Sequence, residues 1–296
     1  MHANVQTFFD PATSTATHIV SDPASHRAVI VDPVLDYEPK GAVVSTRSAD
    51  RVLQAVADQG LELTHVLETH AHADHLSAGD YMRRKTGAKI AIGADITKVQ
   101  KTFIPLFEIT DVGPDGAVFD VLLRDGDQLA LGALTITVLH TPGHTAACNT
   151  YLIGDAAFVG DTLFMPDYGT ARADFPGGDA ATLYRSIRRI LALPASTRLF
   201  VGHDYLPVGR SEFRWETTVA EQRALNIHVH DGVDQAAFVA LREARDATLP
   251  PPMLFMPSLQ VNIRAGALPA PSAAGRVFLK IPVTAARTAA SPGASF

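Results

Sequence analysis

The sequence predicts a layered α/β domain, and three observations support this fold class. Apolar runs of strand length alternate with single amphipathic segments of helix length. The chain has 296 residues, of which 47% are hydrophobic and 19% charged, so it can bury a large core without disulfide bonds. No internal repeat occurs at the spacing of solenoid proteins. These features together favour strands and helices packed in layers around one core.

The strands and helices follow from periodicity, capping residues and turn signals. The predicted strands cover residues 15–20, 27–31, 64–69, 89–92, 129–139 with a turn at Gly132, 150–153, 156–159 and 198–201. The predicted helices cover residues 48–59, 74–85, part of 94–118, 179–191, 211–228 and 234–247. Within 94–118, the run Phe103-Ile104-Pro105-Leu106-Phe107 is too apolar for a bare linker. We expect that segment to cover an active-site mouth or to form a subunit contact.

The domain organisation follows from length and composition. A prior of about 150 residues per domain suggests two domains, but single α/β domains of about 200–250 residues are common. We expect one domain over residues 1–284, with a helical C-terminal extension at about 211–284. From residue 285 to 296 alanine, serine, threonine, proline and glycine dominate, which predicts a disordered tail.

Charge and cysteine content narrow the partners and the compartment. The net charge of −6 provides no basic surface for a nucleic-acid backbone and fits a small-molecule substrate better. The single cysteine, Cys148, excludes an intrachain disulfide and agrees with a reducing cytoplasm. We see no signal peptide and no apolar run of membrane-spanning length. The sequence thus predicts a soluble, cytoplasmic protein.

Four potential metal ligands lie within six residues: His70, His72, Asp74 and His75. They lie between a predicted strand and a predicted helix, in a loop where side chains can converge. Asp74 and His75 are expected to begin the helix, where the macrodipole favours a carboxylate. Imidazole and carboxylate groups are ligands for both Zn and Fe(II).

Three further residues of the same chemistry each follow a predicted strand and lie next to glycine: His144, Asp161 and His203. Side chains at strand ends converge on one edge of a sheet. Any one of these histidines could instead form only hydrogen bonds in its loop, but that interpretation is a poor account of all seven residues. We interpret the remaining seven of the 12 histidines as structural or surface residues.

The complete set of motifs resembles that of the metallo-β-lactamase superfamily. This resemblance implies an αββα sandwich, with additional C-terminal helices and with metals at one edge of the two sheets. A narrower resemblance connects the chain to the persulfide dioxygenases and the related bacterial β-lactamase-like hydrolases. It extends over residues 5–266 and rests on residues 28–35, 69–75, 169–175, 203–205 and 262–266.

The resemblance to the dioxygenases implies one Fe(II) per chain, held by His70, His144 and Asp161. The implied reaction oxidises glutathione persulfide with O₂ to sulfite and glutathione. Arg172 is the candidate to hold a substrate carboxylate or to orient the site, and Tyr205 and Arg264 are further candidates for binding glutathione. An ion pair between Arg172 and Asp174 is an equally good interpretation.

The ligand set also permits other chemistry. His72, Asp74, His75 and His203 could hold a second metal or could surround the first, so the sequence allows one Fe or one or two Zn ions. A glyoxalase II-type thioester hydrolase is the principal alternative, and a non-catalytic metal-holding sensor is a further one. We expect a homodimer only because relatives often form one. Cys148 is expected to be a buried thiol, with oxidative regulation as its alternative.

Overall fold

Two six-stranded sheets lie face to face and carry helices on their outer surfaces, which confirms the predicted αββα architecture. The structure is a computed structural model and describes residues 1–283. The strands are β1 (Asn4–Asp10), β2 (Thr15–Ser21), β3 (Arg27–Val31), β4 (Val34–Glu38), β5 (Val43–Ser45), β6 (Glu62–Leu67), β7 (Leu76–Ser77), β8 (Lys89–Gly93), β9 (Val121–Leu123), β10 (Gln128–Leu131), β11 (Leu134–His140), β12 (Asn149–Ile153), β13 (Ala156–Gly160), β14 (Arg198–Val201) and β15 (Glu216–Thr218). The helices are α1 (Arg47–Asp58), α2 (Gly79–Thr86), α3 (Ile96–Leu106), α4 (Ala180–Leu191), α5 (Val219–Leu225), α6 (Gln235–Asp246) and α7 (Phe255–Asn262).

The strand order explains why the ends of particular strands meet. The first sheet has the order β1-β2-β3-β6-β8-β9, and the second has the order β10-β11-β12-β13-β14-β15. A small sheet, β5-β4-β7, lies beside them. The pairs β3–β6, β6–β8 and β13–β14 are parallel, so the loops that leave these strands begin at the same edge.

Alternation along each strand divides its side chains between two cores. Val29 and Val31 of β3 pack between the sheets, whereas Ile30 packs against α1 and α2 on the outside. In β13, Phe158 faces the other sheet and Val159 faces α4 and α6. Because both faces of these strands are buried, they appear in the sequence as continuous apolar runs.

Several predicted elements differ in the structure. The helix expected at residues 74–85 begins only at Gly79. Asn262 donates hydrogen bonds to the carbonyl oxygens of His72 and His75, so these oxygens are engaged by a side chain rather than by the backbone amides of a helix. The helix expected at 211–228 is wrong for its first half, where β15 pairs with β14; the helix begins after Thr218, which caps α5.

The C-terminal third also departs from expectation. Helix α7 was not predicted; Pro257 lies in its first turn, where proline is tolerated. Helices α5, α6 and α7 lie within the predicted extension, and the predicted tail at 285–296 lies outside the described residues. A single domain over residues 1–284 stays a prediction. Within residues 1–283, none of the helices combines the length and the apolar character needed to span a bilayer.

The apolar run in residues 94–118 belongs to the core. Phe103 and Phe107 are buried on α3 and its C-terminal end, and the Phe103 ring lies 5.7 Å from Phe175 and 5.9 Å from Phe255. Aromatic pairs at such distances add to the free energy gained by burial. The segment therefore joins β8, α7 and the loop that contains Phe175.

Replacing Phe103 by alanine should lower the free energy of unfolding by about 3–5 kcal/mol, because a large cavity forms in this core. The control is Leu106→Ala on the same helix, where the side chain is 46% exposed and the expected change is about 0.5 kcal/mol. Urea unfolding of both variants measures the difference. Equal losses would contradict the placement of Phe103 in the core.

Candidate metal centre

The seven predicted ligands converge at one edge of the two sheets. His70 follows β6, Asp161 follows β13 and His203 follows β14. One group comprises His70, His144 and Asp161, whose ligand atoms all lie within 4.8 Å of one another. The Nε2 atoms of His70 and His144 are 3.9 Å and 3.7 Å from Oδ2 of Asp161. This geometry leaves the three donors facing a common point.

A second group lies directly beside the first. His72, Asp74, His75 and His203 also present ligand atoms within 4.8 Å of one another. Oδ2 of Asp74 is 3.2 Å from Nε2 of His203, and Oδ1 of Asp161 is 3.4 Å from the same nitrogen. The two carboxylate oxygens of Asp161 therefore face different groups, as a ligand shared between two positions would.

Many of these donor atoms have no hydrogen-bond partner in the protein, as expected for atoms that bind a metal ion. Buried polar atoms in native proteins nearly always form hydrogen bonds, so a cluster of unpartnered ones requires a cause. Among the described residues, the unpartnered buried atoms at this edge are Nε2 of His70, both ring nitrogens of His72, Nε2 of His75, Nε2 of His203 and Oδ1 of Asp161. Nitrogen and carboxylate donors in this combination suit Zn and Fe(II), and the geometry does not choose between them.

The local electrostatics favour the ligating form at His70 and Asp74. They act in the other direction at Asp161, where burial raises the pKa of the carboxyl group, and at His203, where burial is outweighed by the Asp161 and Asp74 carboxylates, which raise the pKa of the ring. Burial, with the neighbouring imidazoles of His72 and His144, holds the pKa of His70 well below its ordinary value, so its ring is neutral. Burial favours the neutral acid at Asp74, but the His203 and His75 imidazoles outweigh it and hold the Asp74 pKa well below the ordinary value. Neutral imidazole and ionised carboxylate are the forms that bind metals.

Surrounding groups contact two of the ligand rings. The carbonyl of Arg172 accepts a hydrogen bond from Nδ1 of His144 at 2.8 Å, which leaves Nε2 of that ring without a proton. The Nε2 atom of His72 lies 3.0 Å from Oδ1 of Asp32, a close contact without hydrogen-bond geometry. Asp32 also accepts hydrogen bonds from the amide and the hydroxyl of Thr69, at 2.7 and 2.8 Å.

Glycines beside the ligands allow close packing at two places. Gly160 has φ +51°, and a Cβ there would lie 2.5 Å from Oγ1 of Thr69. Gly143 has φ +134°, and a Cβ there would lie 2.3 Å from the backbone nitrogen of Leu183. Side chains at these positions would separate β13 from the His70 loop, or His144 from α4.

Sequence reasoning missed three residues that hold this site. Asn262 donates hydrogen bonds to the carbonyl oxygens of His72 and His75, both at 2.8 Å, and accepts one from the Ser77 amide at 2.8 Å. The second is Asp32. The third, Glu68, is buried beside Asp32, and burial together with the Asp32 charge raises its pKa to about 8. Two of the three could have been identified from the sequence, because Asp32 and Asn262 both lie in motifs that carry the family resemblance.

A cavity of about 550 Å³ opens directly onto the ligands. Its base contains Asp74, His144 and Asp161. Its wall includes the aromatic side chains of Phe164, Tyr168, Phe175 and Tyr205. The exposed residues of the lining, which form the rim, include Arg245 and residues 249–251; Arg172 and the buried Arg242 also line the cavity, whereas none of residues 94–118 does. The expectation that segment 94–118 covers the mouth is therefore wrong.

The three candidate substrate residues have different positions. Tyr205 lines the cavity, with its ring 5.6 Å from that of His203. Arg172 also lines it, but its guanidinium makes a two-pronged ion pair with Asp174 at 2.6 and 2.7 Å, so the ion-pair interpretation describes this side chain. The structure does not bring Arg264, the third candidate for binding glutathione, to this cavity; its guanidinium pairs with Asp111 at 2.7 Å.

The chain matches the family described as the metallo-beta-lactamase superfamily over residues 14–203. It is 52% identical to a probable metallo-hydrolase of Burkholderia pseudomallei, over 95% of this chain and 99% of that one. It is 43% identical to Glyoxylase B2 of Dictyostelium discoideum, over 95% of this chain and 97% of that one. Identity to the mitochondrial persulfide dioxygenase ETHE1 of Homo sapiens is 29%, over 87% of each chain.

One solved structure and one longer relative add to these matches. The fold resembles the crystal structure of ETHE1 from Myxococcus xanthus, with a TM-score of 0.71 and 33% identity, over 89% of this chain and 100% of that one. The chain is also 50% identical to a beta-lactamase hydrolase-like protein of Xylella fastidiosa, over 97% of its own length but only 66% of that protein's.

Asn262→Ala should weaken metal binding by about 10- to 100-fold, since residues that orient ligands typically contribute this much to affinity. Competition of the metal-loaded protein with a chelator measures the change. The control is Gln260→Ala on the same helix, whose buried amide instead binds the backbone of Lys280. If both variants lost metal affinity equally, the effect would come from disruption of α7 as a whole rather than from the hydrogen bonds of Asn262.

Cys148 should not react with a thiol reagent in the folded protein at pH 8. Its side chain is buried, and burial raises its pKa to about 12, although a hydrogen bond from Thr145 acts in the opposite direction. Thiolate is the reactive form, and too little of it exists under these conditions. One equivalent should react after denaturation; rapid reaction of the native protein would revive the regulatory interpretation.

Proposed function

Because the chain belongs to the metallo-β-lactamase superfamily and brings seven potential metal ligands together in two groups, we propose that it is an iron-dependent persulfide dioxygenase. The reaction converts glutathione persulfide, O₂ and water into glutathione, sulfite and two protons. The terminal sulfur gives up electrons and O₂ accepts them, so no external reductant is needed. The proposed partners are these small molecules, with no nucleic acid.

The observation that carries the proposal is the group formed by His70, His144 and Asp161, of which His144 and Asp161 line the cavity. Two histidines and one carboxylate on one face are the ligands of non-haem Fe(II) oxygenases. Iron held there supplies open positions and redox chemistry for O₂ and sulfur. The relatives support this assignment, since one bears the name persulfide dioxygenase and the Myxococcus structure bears the name ETHE1.

The protein's own contribution is orientation and exclusion of water. The carbonyl of Arg172 holds the ring of His144 with Nε2 toward the other ligands. The rings of Phe164, Phe175 and Tyr205 line the approach to them, so a small apolar gas and a soft sulfur enter mostly apolar surroundings. A wall of this kind limits competing reactions with water.

A dinuclear thioester hydrolase is the second candidate. It is favoured by the complete second group of ligands and by Asp161, whose oxygens face both groups. In such enzymes two metals activate a water molecule as nucleophile. The names of two relatives, Glyoxylase B2 and probable metallo-hydrolase, support hydrolysis as well.

Oxygen uptake by anaerobically iron-loaded protein given glutathione persulfide tests the proposal, with sulfite measured in parallel. We expect one sulfite for each O₂. His144→Ala should lower kcat/KM by at least about 100-fold, since even a residue that only orients a ligand contributes about 10- to 100-fold. His140→Ala is the matched control, because His140 lies outside both ligand groups and does not line the cavity.

Two results would contradict the dioxygenase. The first is the absence of oxygen uptake together with cleavage of S-lactoylglutathione by the zinc-loaded protein, which would assign the same ligands to the hydrolase. The second is the absence of turnover with either substrate despite full metal loading, which would favour a metal-holding sensor.

A further inference from the structure

Three arginines lie around the cavity, and two of them are already engaged. Arg172 is paired with Asp174 and also donates to the Pro250 carbonyl at 2.8 Å. Arg242 is buried and pairs with Asp246 at 2.7 Å, while its Nη1 donates to the Thr170 carbonyl at 3.0 Å. These guanidinium groups hold the cavity wall together rather than offering their charge to a ligand.

Arg245 differs from both. It lies in the last turn of α6, one turn after Arg242, and both side chains line the cavity. Its side chain is exposed, and within residues 1–283 its guanidinium makes neither an ion pair nor a hydrogen bond. A guanidinium is a planar fork of donors that matches a carboxylate, so this one is available for an anionic ligand.

The remainder of the cavity makes such a cation useful. Its base contains the carboxylates of Asp74 and Asp161, and its lining is more apolar than polar. The chain as a whole has a net charge of −6, so an anionic ligand gains no general attraction to this protein. A ligand with a sulfur at one end and a carboxylate at the other would place the sulfur at the base and the carboxylate at the rim.

We propose that Arg245 binds a carboxylate of the glutathione part of the substrate and thereby selects anionic thiol carriers. The inference rests on the proposed function and refines it, by naming the residue that recognises the part of the substrate remote from the reacting sulfur. Binding remote from the reacting atoms affects KM more than kcat when the contact is equal in ground and transition states.

The test compares glutathione persulfide with the persulfide of glutathione diethyl ester, in which both carboxylates are masked. Wild-type protein should show about a tenfold higher kcat/KM for the free acid, which corresponds to about 1.4 kcal/mol. Arg245→Ala should raise KM for the free acid about tenfold, leave kcat nearly unchanged and abolish the preference over the ester. Arg245→Lys should retain part of the preference, and Arg185→Ala, an exposed arginine of α4 remote from the cavity, should retain all of it.

A preference that persists in Arg245→Ala would overturn the assignment, as would a fall in kcat equal for acid and ester, which indicates a structural role at the end of α6. Calorimetric binding of glutathione to the metal-loaded proteins separates this inference from the proposed function. If wild-type protein takes up no oxygen, the proposed dioxygenase function is wrong. Weaker glutathione binding by Arg245→Ala than by wild-type protein would still support the proposed role of Arg245 in binding a glutathione carboxylate. Equal binding by both proteins, or no binding by either, would overturn it.

Discussion

The hydrogen bonds of the Asp32 carboxylate hold the site to the sheet. Asp32 lies at the end of β3 with φ +49°, a left-handed conformation that aspartate tolerates better than most residues. Its oxygens accept from the amide and hydroxyl of Thr69 and lie 3.0 Å from Nε2 of His72. One buried side chain thus joins the end of β3 to the residue that follows the parallel strand β6, and it lies beside the ring of His72. Removing it would leave several buried donors without acceptors, which is more costly than losing one exposed contact.

A second set of contacts makes the C-terminal helices part of the site. Asp246 of α6 accepts from the amide of Ala173 at 2.8 Å, and Arg242 donates to the carbonyl of Thr170. Between these two fixed points lies Arg172, whose carbonyl holds the ring of His144. A displacement of α6 would therefore reach a metal ligand through a single loop. Helix α7 acts similarly on the other side, where Asn262 fixes the His72 loop.

The sequence allowed the ligands and the layers to be predicted, but not the contacts that orient them. Ligands could be found because each follows a strand whose apolar run is visible in the sequence, and strand ends meet at one edge. The hydrogen bond from Asn262 to the carbonyl of His72 joins residues 190 positions apart, so no local sequence pattern predicts it. The predicted start of α2 was wrong for the same reason, because the hydrogen bonds from Asn262 override helix propensity before Gly79. Arg172 and Arg264 have the chemistry to bind a carboxylate, but Asp174 and Asp111 already occupy their donors.

The cavity is lined in part by residues beyond the region that contains the metal ligands. Residues 14–203, which match the family, contain all seven ligands. Tyr205, Arg245 and residues 249–254 lie beyond that region, although they line the same cavity. Ligand donors are shared by hydrolases and dioxygenases of one fold, so they cannot by themselves decide the substrate. Phe164, Tyr168 and Phe175 of the cavity lie within the matched region, so both parts of the chain form its lining. Under the proposed function, the part beyond residue 203 adds the cation Arg245 and the surfaces that a substrate would meet first.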